Sequence, residues 1–414
     1  MARLKGFQEL TPIDEALERY LRRLQPKRLD TNLVSIREAL GRIVARSIVA
    51  EKDLPLFNRS AVDGYALKAK DTFGASIFEP NILRIVSGKS IEEGETEEIW
   101  TGNTLPKGAD AVVMLEHTKR TDGGVAIFTS LTPNANVSKR GEDVKKGEIV
   151  VDKGVRLRPH HLGLLAALGV KEVEVVRRPI VAILATGNEL VALNDDLEPC
   201  KVVEVNSIVL SSMCAEFGAE AVSLGIARDD ENEIENRILE GLTRADIVVT
   251  TGGTSVGVHD LVPKTIERIE QGDVMVHGVA MRPGMPTALA VVHGKPVLVL
   301  SGNPVAAVVG FEVFARPLIQ KMLGLKEEVR VSLKARLTRR VVGVLGRRVF
   351  LRVRVVEKEG EFFAEPIRIK GSGVITTMTK ANGYVIIPED REGLRENEEV
   401  AVYLFDVVGQ VENV

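Results

Sequence analysis

Three aliphatic, β-branched runs, each ending in a polar turn that carries glycine, constrain this chain more than any other feature. Pro179-Ile-Val-Ala-Ile-Leu-Ala185 runs into Thr186-Gly187-Asn188-Glu189-Leu190, and Asp246-Ile-Val-Val-Thr250 into Thr251-Gly252-Gly253-Thr254-Ser255-Val256-Gly257-Val258-His259-Asp260. Pro296-Val-Leu-Val-Leu300 runs into Ser301-Gly302-Asn303-Pro304. Continuous apolar runs of this length suit strands covered on both faces, as in a parallel sheet. Ligands of open α/β sheets bind beyond the carboxyl ends of the strands. Three such ends, rich in Gly, Ser and Thr and bearing Glu189 and Asp260, predict a site for an anionic ligand and a cation.

The surrounding pattern predicts four domains. A proline at the start of a helical period marks a first helix from Thr11-Pro12-Ile13-Asp14 to Leu24, with Thr11 as its cap, and a second helix is expected from Ser35 to Val49. Between 53 and 152, short strands are broken by Asp122-Gly123-Gly124, Asn134-Ala135-Asn136 and Lys146-Gly147, and an apolar helix follows from Pro159 to Leu168. From Pro179 strand and helix alternate, with Asn206 as a helix cap, Gly218 as its stop, and a helix from Pro304 to Leu323 bent at Pro317. After Glu327 the two-residue alternation of strands returns. The expected fold class is multi-domain α/β plus β. A helical linker domain (1–52 and 144–178) carries an inserted small β domain (53–143). A doubly wound α/β domain (179–325) and a C-terminal β-barrel-like domain (326–414) follow.

Composition excludes several classes. The 414 residues exceed one ordinary core, and 55 basic against 58 acidic residues leave a net charge of −3, with no basic field for nucleic acid. No apolar run is long enough for a membrane span and the N-terminus is charged, so a cytoplasmic protein with neither nucleic-acid nor membrane partners is expected. Cys200 and Cys214 have no metal or disulfide spacing and read as packing residues, and the same holds for the scattered histidines. Neither a P-loop nor a dinucleotide fingerprint is present. Alone, Gly252-Gly253 reads equally well as a tight strand-to-helix connection or as a phosphate cradle with Ser255 as a hydroxyl donor. Ser301–Pro304 reads as a helix start, and Asp63-Gly64 as a hairpin turn. Glu189 and Asp260 shift the balance, because carboxylates at neighbouring strand ends repel unless a cation such as magnesium lies between them.

Eight segments in order carry a resemblance over essentially the whole chain: Asn58–Ala66, Thr101-Gly102-Asn103, Gly141-Glu142-Asp143-Val144, Thr186–Leu190, Gly252–Asp260, Arg282-Pro283-Gly284, Ser301–Pro304 and Gly371-Ser372-Gly373. The chain resembles the molybdopterin molybdenumtransferases of the MoeA type, which include the C-terminal domain of gephyrin. The resemblance implies a homodimer and a Mg2+-dependent insertion of molybdate, or tungstate, into adenylylated molybdopterin with release of AMP. It implies Asp63, Thr101, Asp143, Glu189, Asp229 and Asp260 as catalytic residues, the first three from the partner subunit's side of the cleft, with Glu189 and Asp260 on the metal. It also implies Thr186, Gly187, Gly252, Gly253, Ser255, Gly257, Ser301, Gly302, Asn303 and Pro304 as substrate-binding residues. Arg282, Pro286, Arg352 and Ser372 would hold the oxyanion, since an arginine fork and a hydroxyl suit a tetrahedral dianion. Two positions depart from the family pattern: Met285 replaces the second lysine of Lys-Pro-Gly-Lys-Pro, and Glu204 stands near the usual Asp of an Asp-Ser-Asn run. The upstream adenylyltransferase and apo-molybdoenzymes are implied partners. The competing readings are that adenylyltransferase itself, which is a single domain with the Gly-Gly-x-Ser turn, and a gephyrin-like scaffold.

Overall fold

The computed structural model describes residues 9–196, 198–254, 260–325, 330–367 and 371–410. Ser255 and Gly257, both expected to bind substrate, lie outside the described residues. The chain divides into two compact units, Leu33–Val175 and the combination of Met1–Asn32 with Val176–Val414.

In the first unit, six strands lie in the order Ala111–Met114, Gly64–Leu67, Glu95–Ile99, Asn81–Ile85, Gly124–Ile127, Thr118–Thr121. Tyr65, Leu67, Leu83, Val113, Val125 and Ile127 form its core. Asp63-Gly64 is not a hairpin turn. Gly64 opens a strand held between two others, where a Cβ would lie 1.8 Å from Val113 O. A second core gathers Val44, Val151, Leu157, Leu165 and Val175 around the helix Pro159–Ala167. The helix expected over Ser35–Val49 does not form: a single 3-10 turn, Ile36–Glu38, precedes Gly41 at φ +74°. Ile43 and Val44 then bridge to Arg156 and Val175, and Val49 pairs with Ile149. Long-range pairing of β-branched residues has overridden local helix propensity.

The second unit is built on a six-stranded sheet in the order Glu220–Ala227, Ile180–Thr186, Ile247–Thr251, Lys295–Leu300, Ala288–Val292, Gly272–His277. The first four strands are parallel and the last two antiparallel. Val181–Ala185, Ile247–Val249 and Val297–Leu300 are completely buried, as continuous apolar runs require. Helices Glu231–Arg244 and Leu261–Arg268 cover Ala182, Leu184, Val248, Val297 and Val299. Strand side chains alternate, and the opposite face is taken by helix Asn206–Phe217, which packs beside the helix starting at Pro304. The chain leaves Ile180–Thr186 for one neighbouring strand and returns to the other, so the order reverses between Thr186 and Thr251. That crevice is where such sheets bind ligands.

Several element ends differ from expectation. The first helix starts at Ile13 behind Pro12, because Thr11 is bound to Gly278 and Ala280 as a bridge. Asn206 is the first helical residue rather than the cap, and Glu204 Oε1 accepts the Ser207 N–H instead. The helix that starts at Pro304 runs to Gly310, widens to a π turn over Phe311–Ala315, and resumes at Arg316–Met322. The widening precedes Pro317, which has no N–H to donate to the preceding turn. Cys214 is buried, and burial pushes its thiol up to about 12, whereas Cys200 is exposed.

Beyond Leu333 five strands close on themselves: Arg348–Lys358, Glu361–Pro366, Leu333–Leu337, Glu399–Leu404 and Gly383–Ile387, which pairs back with the first. Leu337, Leu351, Val353, Val355, Val385, Ile387 and Val402 fill this barrel. A two-residue strand, Met281–Arg282, leaves the α/β half and pairs with Arg348 and Val349. It brings Arg282 to the barrel wall.

Candidate anion-binding site

The three strand ends converge. Ala185 is level with Thr251, and Thr251 with Leu300. Gly252 N–H donates to Leu300 O at 3.0 Å. A Cβ on Gly252 would lie 2.2 Å from Thr186 O, and one on Gly302 would lie 3.4 Å from Gly252 Cα. Gly253, at φ +60°, would meet Val262 Cγ2 at 2.5 Å and Thr186 Oγ1 at 2.9 Å. Gly252 and Gly253 are therefore required by close packing of loops at the switch point, which also leaves the backbone bare of side chains there. Asn206 Nδ2 holds Gly302 O at 2.9 Å, while its own buried Oδ1 has no partner.

The acidic residues take distinct places around this crevice. Asp229 Oδ2 accepts from Asn188 N, and Asn188 Oδ1 accepts from Asp229 N, each at 3.2 Å, so Asp229 fixes the turn that carries Glu189. The Glu189 side chain folds over Gly187, where a Cβ would lie 2.7 Å from Oε1, and the residue is exposed. Asp260 stands just before helix Leu261–Arg268, with Oδ2 at 3.2 Å from His277 Nε2. Sequence reasoning missed His277: the pairing joins a helix start to the end of a distant edge strand, and no spacing announces it. Glu204 Oε1 is engaged by the Ser207 N–H at 2.9 Å, at the start of helix Asn206–Phe217.

Beside these turns lies a pocket of about 380 Å3 lined by Arg282, Pro283, Met285, Pro286, Ser301, Asn303, Arg347, Arg352 and Ser372, among others. All four residues expected to hold an oxyanion share it. Thr254 Oγ1 donates to Pro286 O, tying the glycine turn to the pocket wall, and Val305 N–H donates to Ser372 O at 3.1 Å. Arg352, on the barrel strand Arg348–Lys358, is 6% exposed and its Nε has no hydrogen-bond partner among the described residues. Burial lowers its pKa from the ordinary arginine value. Among the described residues, three arginines line the pocket and no carboxylate does. Such a cavity favours an anion, and one with several acceptor oxygens.

Asp63, Thr101 and Asp143 belong to the other compact unit. Asp63 Oδ1 accepts from both Thr101 N and Thr101 Oγ1 at 2.7 Å, and the backbone bond first, then the hydroxyl, hold its carboxyl below the usual carboxylate value. Asp143 belongs to a different connection, with its N–H on Leu54 O at 3.1 Å. Among the described residues no group of three or more His, Cys, Asp or Glu side chains forms a metal cluster. No described helix is long and apolar enough to cross a membrane.

A doubly wound sheet with glycine turns at its switch point and an arginine-lined pocket beside them defines a protein that handles an anionic, phosphate-bearing ligand. Comparison with known proteins gives the family. Residues 11–169 match the MoeA N-terminal region (domain I and II), 182–321 a probable molybdopterin binding domain, and 334–405 the MoeA C-terminal region (domain IV). A putative molybdopterin biosynthesis protein of Methanocaldococcus jannaschii is 41% identical, over 97% of this chain and 100% of its own. The molybdopterin molybdenumtransferase of Bacillus subtilis is 35% identical, over 95% of this chain and 94% of its own. The crystal structure of a molybdopterin biosynthesis MoeA protein from Pyrococcus horikoshii superposes with a TM-score of 0.81 at 35% identity, covering 96% of this chain and 100% of that one. The chain belongs to the molybdopterin molybdenumtransferase (MoeA) family, whose place is in molybdenum cofactor biosynthesis.

Proposed function

We propose that this protein inserts molybdate, or tungstate, into the dithiolene of adenylylated molybdopterin and releases AMP. The observation that carries the reading is the pocket of three arginines without a carboxylate, set against the glycine turns of the switch point. Arg282 and Arg352 bind the oxyanion from two sides, one from the α/β half and one from the barrel. Ser372 and Pro286 shape the wall between them. Thr186, Gly187, Gly252, Gly253 and the turn Ser301-Gly302-Asn303-Pro304 hold the nucleotide and phosphates, where bare backbone permits close approach. Ser255 and Gly257 are assigned to the same ligand.

Glu189 and Asp260 are the oxygen donors that would hold Mg2+, whose contribution is to neutralise phosphate charge. Mg2+ takes one or two carboxylates and completes its shell with water and substrate phosphate, and two carboxylates are what Glu189 and Asp260 would offer. Asp229 acts by positioning the Glu189 turn. Asp63, Thr101 and Asp143 are proposed as catalytic groups supplied by the partner subunit of a homodimer, and the four-domain division and a cytoplasmic location belong to the same proposal.

Incubation with adenylylated molybdopterin, Mg2+ and molybdate tests the reading. AMP release that depends on molybdate supports it. A second incubation with molybdopterin, Mg2+ and ATP covers the alternative: release of pyrophosphate there would identify the adenylyltransferase instead, and neither activity would leave a scaffold. Mixing Asp63→Ala with Glu189→Ala protein is expected to restore part of the activity through heterodimers, and mixtures as inactive as either parent refute the shared site.

A further inference from the structure

Arg347 precedes the barrel strand Arg348–Lys358 and lines the pocket together with Arg282 and Arg352. Its neighbour Arg348 is already neutralised: the guanidinium forks onto Asp14 at 3.0 and 2.7 Å, and its Nε lies 2.9 Å from Glu389 Oε1. Arg347 has no such counter-ion among the described residues, and no acidic side chain lines the pocket to supply one. Met285, an uncharged thioether, lines the same pocket, and its carbonyl accepts from the Val279 N–H at 2.9 Å. The pocket thus presents one charge more than Arg282 and Arg352 provide, and presents it from the barrel rather than from residue 285.

We propose that Arg347 is an oxyanion-binding residue of this pocket, supplying from the barrel the cationic contact that Met285 does not make. The inference rests on the reading of the pocket as an oxyanion site. A tetrahedral dianion offers four acceptor oxygens, and Arg347 adds to Arg282 and Arg352 a further charged fork able to bridge a pair of them. A planar guanidinium fits that oxygen pair better than an ammonium does, so discrimination among tetrahedral oxyanions depends on Arg347 as well.

The experiment measures binding of sodium molybdate to the full-length protein by equilibrium dialysis, with sulfate and tungstate as competitors. Arg347→Gln is expected to weaken molybdate by about ten- to a hundredfold, the equivalent of one charge-assisted contact. Arg354→Gln, the same charge change at an exposed position of the same strand, is expected to bind as the unaltered protein does. Met285→Lys placed in the Arg347→Gln protein is expected to recover affinity, which no merely structural role of Arg347 would produce. Unfolding curves for each variant separate misfolding from lost contact, and Arg347→Lys, which keeps the charge, serves where the glutamine variant does not fold. Arg347→Gln or Arg347→Lys protein that binds as tightly and as selectively as the parent overturns the inference. Binding lost in Arg352→Gln but kept in Arg347→Gln refutes it while leaving the oxyanion reading intact. A parent protein that binds no molybdate refutes both.

Discussion

Arg352, proposed above as an oxyanion ligand, is held at a cost to the fold. A buried donor without a partner costs on the order of 1–3 kcal/mol, and an uncompensated charge adds to it. Arg352→Met, of similar length, is therefore expected to raise unfolding stability by about 1 kcal/mol in urea titrations while weakening molybdate by roughly a hundredfold. A variant that is both less stable and unaltered in binding contradicts that assignment. Asp63 offers a different case. Two bonds from Thr101 depress its carboxyl pKa. A depressed value means that the stabilisation is present above the unfolded-state pKa and lost as pH falls through the folded one. Thr101→Val removes the hydroxyl bond and keeps the backbone bond, so the Asp63 titration followed by carboxyl NMR is expected to move up, part of the way to its ordinary value. The glycine turns with Glu189 and Asp260 were readable as site candidates from their place at strand ends, whereas Arg282, Arg352 and Ser372 were legible only through the resemblance to the family. His277 and Arg347 were not readable, since each reaches its place by folding of distant segments.

At the scale of elements, the glycine turns make a quantitative contrast. Gly252 sits at φ +92° with a Cβ position 2.2 Å from Thr186 O, whereas Gly225 sits at φ +77° with open space around it. Gly225→Ala is expected to cost only the left-handed backbone penalty of about 1–2 kcal/mol. Gly252→Ala must also push apart the two loops at the switch point, and a loss of more than about 3 kcal/mol is expected in denaturant titrations, with loss of nucleotide binding. Equal costs at the two sites would show that the loops are free to separate. The α/β elements followed their sequence signals closely, with Glu231–Arg244 a helix as expected and the buried strands displaced by at most a residue or so. The segment Ser35–Val49 did not, because Ile43, Val44 and Val49 found strand partners more than a hundred residues away in most cases.

At the scale of the whole molecule, Arg348 joins three separate parts of one unit: Asp14 at the start of the first helix, Glu389 beyond the strand Gly383–Ile387, and its own barrel strand. Hydrogen bonding from Arg348, followed by its charge, holds Asp14 below its ordinary pKa in spite of partial burial. Since that pKa is depressed, the ion pair's stabilisation is present above the unfolded-state value and disappears as pH falls through the folded one. Asp14 is largely exposed, so the effect is small: Asp14→Asn is expected to cost at most about 1 kcal/mol at neutral pH. The difference from the parent should shrink toward zero in acid, as measured by thermal unfolding across pH. A difference that does not change with pH would place the cost in packing rather than charge.

The amino-acid sequence alone determined the parallel strands, because an unbroken β-branched run is stable only when both faces are covered, and it determined the polar turns beyond them, because such strands must end where glycine lets loops meet. It also pointed to the family and, through the resemblance, to Arg282, Pro286, Ser301, Asn303, Arg352 and Ser372 of the pocket. Only the tertiary structure decided which charges face one another. Arg348 and Arg347 are adjacent and chemically alike, yet one is spent on Asp14 and Glu389 and the other lines the pocket. Glu204 caps a helix and Asp260 faces His277 for the same kind of reason. A side chain's partner is set by how whole elements pack, and local propensities of a fraction of a kcal/mol per residue are too weak to reveal it.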